Sequence, residues 1–99
     1  MPYVITWFQN EGTSEVRKTF RPIHLDHIIN NAHRIIASGG LFSDNGDNYT
    51  GGLVILDTDI KQEAIDFIES DPFFINGIFS SYTIHRWKKA IFDYQRTSI

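Results

Sequence analysis

His24 is the residue of this sequence best suited to moving a proton. It falls at one edge of an apolar stripe made by Leu25, Ile28, Ile29, Ala32, Ile35 and Ile36, which recurs at helical spacing across Phe20–Gly40. A histidine on the border between core and solvent is partly desolvated yet reachable by a ligand, as a general base must be. The plain alternative is a boundary histidine hydrogen-bonded to backbone. Arg21 stands just before Pro22, a residue suited to the first helical position because its missing N–H would have no partner there. As the nominal N-cap, Arg21 has no oxygen to offer the free helix N–H groups. Its charge is therefore available to an anionic or enolate oxygen, or to a surface ion pair with Glu15 or Asp71. Ser43 and Tyr82 are further polar candidates for a pocket, with Tyr82 equally readable as core. Asp71 before Pro72 has the pattern of a cap on a short helical turn.

Metal chemistry finds little support. His24 and His27 are three apart, a spacing that can bind a metal on a helix, but no third ligand follows nearby. Asp44 and Asp47 sit in a turn without the twelve-residue loop and closing glutamate of a calcium site. The sequence predicts no metal.

These residues need elements to hold them. Tyr3–Gln9 reads as a strand with Val4 and Phe8 on one face and Tyr3, Ile5 and Trp7 on the other. The polar stretch from Asn10 to Thr19 reads as a mobile loop, and the helix after it runs from Pro22 to a stop at Gly39, with His27 and Arg34 toward water. A hairpin follows, Leu41–Ser43 and Tyr49–Asp57 flanking the Asn45-Gly46 turn. Gly51-Gly52 suggests a bulge in the second strand, or less simply a close approach by another backbone or a ligand. Asp59 and Gln62 fit a capping box for a second helix that ends before Asp71-Pro72. A last strand spans Ile78–Trp87, and the tail from Lys88 to Ile99 carries Ile91, Phe92 and Tyr94, apolar residues that suit docking.

Composition narrows the function classes. The chain has 99 residues, enough for one domain, and its 41% hydrophobic and 14% aromatic content is that of a globular protein. A net charge of −3 lacks the basic footprint of a nucleic-acid binder. The absence of cysteine excludes disulfides and thiolate chemistry. No signal-like or membrane-spanning segment is evident, so the cytoplasm is the expected location, with no membrane partner.

The order β, α, β, β, α, β is that of the ferredoxin-like α+β fold, an antiparallel sheet with both helices on one face. Two helices leave the other face bare, yet the first and third strands are apolar on both faces. That surplus predicts a homodimer whose sheets pack face to face.

With the elements in place, the sequence resembles the YciI-like (YCII-related) family of the dimeric α+β-barrel superfamily. The resemblance rests on Tyr3-Val4-Ile5, on R-P-x-H-L at Arg21–Leu25, on Gly39-Gly40-Leu41, on Gly51-Gly52 and on S-D-P-F at Ser70–Phe73. It runs from Met1 to about Lys89 and leaves the tail outside. It implies a dimeric barrel with a pocket between sheet and helices, in which His24 and Asp71 form an acid–base pair. By analogy with relatives that act on aromatic-ring breakdown products, it further implies a cofactor-independent lyase or isomerase acting on a small cyclic or aromatic substrate. Two alternatives stand beside it: a non-catalytic dimeric module that binds a small ligand in the same pocket, and an interaction domain that engages a protein through its tail.

Overall fold

The computed structural model describes residues 1–97. Strands β1 (Tyr3–Phe8), β2 (Ile35–Phe42), β3 (Tyr49–Leu56) and β4 (Tyr82–Arg86) form one antiparallel sheet in the order β2-β3-β1-β4. Helices α1 (Ser14–Asn30), α2 (Lys61–Glu69) and the single turn α3 (Pro72–Ile75) complete the ferredoxin-like pattern. In β1 the side chains alternate. Tyr3, Ile5 and Trp7 are buried with Val54 and Leu56 of β3 against Ala64, Phe67, Ile68 and Phe73 of the helices. Register pairs Ile5 with Val54 and Ile84, and Thr6 with Leu53 and Thr83, so the two faces stay in phase across the sheet. On the face away from this core, Val4, Leu41, Leu53 and Ile55 are only half-buried and Phe8 is exposed.

The first helix differs from its expected span at both ends. It begins at Ser14, so the stretch expected to be a mobile loop supplies its first turns, and Pro22 lies in its interior rather than at its start. Arg17 N–H donates to the Thr13 carbonyl at 2.8 Å, and Lys18 pairs with Glu15. These local bonds outweigh the one intrahelical bond that Pro22 cannot make. The helix stops at Asn30, where the Asn31 side chain returns to the His27 carbonyl at 2.8 Å. Ile35 and Ile36 continue the helical period only by coincidence; they open β2, a state that suits β-branched side chains, and Gly39 and Gly40 lie inside that strand. His27 and Arg34 do not point to water. His27 Nε2 bonds the Phe67 carbonyl at 2.9 Å, and the Arg34 guanidinium lies over the Phe67 ring.

The hairpin turn forms around Gly46, whose φ of 78° lies in the left-handed region that glycine adopts freely. At α2 the capping box expected of Asp59 and Gln62 does not form: Ile60 is the N-cap and has no side-chain cap, and ahead of it the Thr58 hydroxyl accepts from Ile60 N–H and donates to Glu63. Asp59 instead pairs with the Met1 ammonium, which holds its carboxyl below the usual range, and Gln62 bonds Asp66. The last strand is shorter than expected: Ile78 and Phe79 are buried ahead of it, and the Ile78 N–H and carbonyl bond to Phe73 and Asn10 rather than to a strand ladder. Beyond it, β5 (Ile91–Phe92) and β6 (Gln95–Arg96) pair with each other as a small hairpin, and the end of the tail, Ser98 and Ile99, lies outside the described residues.

Candidate active site

The site lies where α1 crosses the sheet beside α3. Asp71 is the N-cap of α3: its Oδ1 accepts the Phe73 N–H at 2.9 Å, the role its place before Pro72 predicts. The same carboxylate is fully buried and takes His24 Nδ1 at 2.8 Å through Oδ1 and 3.0 Å through Oδ2. A carboxylate that also accepts a backbone N–H is an acceptor, so Nδ1 is the donor in this bond. The ring is fixed from a second side by Phe73, stacked on it with centroids 3.8 Å apart and planes 2° from parallel. The His24 side chain is 13% exposed, and among the described residues no protein group bonds its Nε2. Cap and histidine partner, roles the sequence allows Asp71 singly or together, coexist.

His24 and Arg21 line a cavity of about 200 Å³ between α1 and the sheet. Arg21 is exposed at its rim and makes neither of the ion pairs expected of it; Glu15 holds Lys18 instead. Three further walls were not foreseen from the sequence: Arg17 from α1, Trp7 from β1 and Tyr49 from β3. Trp7 Nε1 donates to Tyr49 Oη at 3.3 Å, and the Arg17 guanidinium lies 4.2 Å above the Tyr49 ring. Burial raises the Tyr49 phenol above its ordinary value, outweighing the Trp7 bond and the Arg17 charge; the Asp71 charge adds to the rise. The protonated phenol accepts from Trp7 and retains its own O–H to donate.

Gly51-Gly52 explains how these walls fit. The register with β1 is unbroken at both glycines, and the irregularity lies beside them, between Leu41 and Phe42 opposite Tyr49. The close backbone approach expected as the lesser reading holds at Gly51, where a Cβ would stand 2.1 Å from the Trp7 carbonyl oxygen, and at Gly52 a side chain comes equally near: a Cβ there would stand 2.1 Å from Trp7 Cζ2. Only glycine leaves room for the indole.

The structure does not bring Ser43 or Tyr82 to this cavity. Ser43 Oγ donates to Asn45 Oδ1 at 2.7 Å inside the hairpin turn. Tyr82 packs edge-on against Phe74, and its hydroxyl donates to Glu69 at 2.5 Å. The signal that could have found Arg17 was its spacing of one helical turn from Arg21, visible once the helix is extended back to Ser14. Among the described residues no group of three or more histidine, aspartate or glutamate side chains is placed to hold a metal, and no helix is long and apolar enough to cross a membrane.

No curated protein matches the chain in sequence. Among solved structures it is similar to 5-chloro-2-hydroxyhydroquinone dehydrochlorinase from Burkholderia phenoliruptrix, in complex with 2,5-dihydroxybenzoquinone. The TM-score is 0.80 at 25% identity, over 89% of this chain and 94% of that one. The YCII-related domain matches residues 1–88, nearly everything before the tail hairpin, and the chain belongs to that family.

Proposed function

We propose that this protein is a cofactor-independent enzyme of lyase or isomerase type that moves a proton on a small cyclic or aromatic substrate. The observation that carries the reading is the buried Asp71 carboxylate bonded to His24 Nδ1 at 2.8 Å, with Nε2 left free beside a cavity. Nε2 takes a proton from the substrate, and Asp71 stabilises the imidazolium that results. The electron pair left on the substrate then either expels a leaving group or draws the proton back at a second atom. Phe73 holds the ring in plane during both steps. The dehydrochlorinase similarity supports a small aromatic compound as substrate class. The working unit in this proposal is a homodimer closed over the bare sheet face that carries Val4, Leu41, Leu53 and Ile55.

The test uses two readouts, chloride release from 5-chloro-2-hydroxyhydroquinone and deuterium exchange into the ring of 2,5-dihydroxybenzoquinone. Wild type accelerates at least one, and His24→Asn lowers that rate by about 10²- to 10⁴-fold, the usual worth of a positioned general base. Asp71→Asn lowers it less and shifts the imidazole from the pure Nδ1–H tautomer, seen in ¹⁵N spectra. A His24→Asn variant with the wild-type rate defeats the proposal, as does a wild-type tautomer with its proton on Nε2. Saturable binding without turnover of either compound would favour the binding-module alternative.

A further inference from the structure

Two cations of α1 remain without partners at the cavity. Arg17 and Arg21 lie one helical turn apart, both line it, and neither is within ion-pair distance of a carboxylate among the described residues. Arg17 is the more constrained. Its guanidinium is pinned over the Tyr49 ring, and its Nε is buried with no hydrogen-bond partner. A guanidinium N–H withdrawn from water and left unbonded is destabilising. The Tyr49 ring offsets part of that cost by its cation–π contact, and a negatively charged ligand oxygen on the cavity side of the same guanidinium would offset more through a charge-assisted bond. Beside it, the protonated Tyr49 hydroxyl is a second donor, and Trp7 and Phe73 supply flat apolar walls.

We infer that Arg17 and Arg21 form an anion subsite, so that the substrate is a small planar ring bearing an ionised oxygen acid, a carboxylate or an enolate. Arg17 is the fixed half of the clamp, and the exposed Arg21 meets the ligand from the rim. The inference rests on reading the cavity as the substrate site, but not on His24 acting as a base.

Calorimetric titration of the full chain with benzoate and with benzamide, matched in shape and different in charge, decides it. Wild type binds benzoate at least about tenfold more tightly than benzamide, as expected for a charge-assisted bond in a partly buried site. Arg17→Met removes the preference, and Arg17→Lys keeps part of it. Equal affinity for the two probes overturns the inference, as does absence of saturable benzoate binding or an undiminished preference in Arg17→Met. The wild-type comparison stands even if the Arg17→Met variant fails to fold. A retained preference in an inactive wild type would separate this subsite from the proton-transfer proposal.

Discussion

Replacing Gly52 with alanine is the smallest change that should disturb the whole cavity wall. The added methyl would lie 2.1 Å from Trp7 Cζ2 and 2.6 Å from Cε2 and Cη2, where ordinary contact begins near 3.4 Å. The indole would therefore have to withdraw by about 1.3 Å, the difference between 3.4 and 2.1 Å. It has little room to do so: Trp7 is 3% exposed, stacked on Phe79 at 5.0 Å and bonded to Tyr49. Overpacking of this kind costs about 1–3 kcal/mol. For a domain of this size a cost of about 2 kcal/mol lowers Tm by roughly 8–16 °C. Urea unfolding and a thermal scan measure it directly, and the ¹⁵N shift of the Trp7 indole reports whether its bond to Tyr49 survives. The decisive control is the same substitution in a Trp7→Leu background, where the methyl meets open space and should cost little, giving a coupling energy of about 1–2 kcal/mol. An unchanged midpoint for Gly52→Ala, or an equal cost in both backgrounds, would refute the account of why glycine stands there.

Two other measurements probe different parts of the molecule. Burial, helped by the hydrogen bond and charge of Glu69, pushes the Tyr82 phenol up to about 12. Since an unfolded tyrosine ionises near 10, the contribution of Tyr82 to stability is complete below about pH 10 and is lost as pH rises toward about 12; Tyr82→Phe should flatten alkaline unfolding in that window, and an unchanged slope would count against it. In the proposed homodimer, Ile55→Glu places a charge on the bare sheet face without touching the cavity side, so sedimentation should shift from dimer to monomer while the isolated fold persists; a wild type that sediments as a monomer, or a variant that still sediments as a dimer, would count against that interface.

The architecture could be read from the sequence because most of its signals are local. Asn45-Gly46 marks a hairpin, Asp71-Pro72 ends one helix and caps the next, and alternation in Tyr3–Phe8 makes a strand whatever surrounds it. The span of α1 could not be read in the same way. Proline is common at the first helical position, and Pro22 sits instead in the third turn; Ile35 and Ile36 extend the helical period although they belong to β2. That error also concealed Arg17, whose place on the helix makes it a neighbour of Arg21. Tyr49 and Trp7 were out of reach for another reason: what joins them is the antiparallel register of β1 with β3 and the absence of a side chain at Gly52, both tertiary facts.

The Asp71 oxygen that holds His24 also holds the amide hydrogen of Phe73. Opening of the first turn of α3 therefore disturbs the carboxylate that holds the imidazole, and amide exchange at Phe73 reports how firmly that carboxylate is fixed. Its protection factor in a protein with no substrate bound gives the free energy of that opening. Ligand that engages His24 should slow that exchange without touching the amide itself.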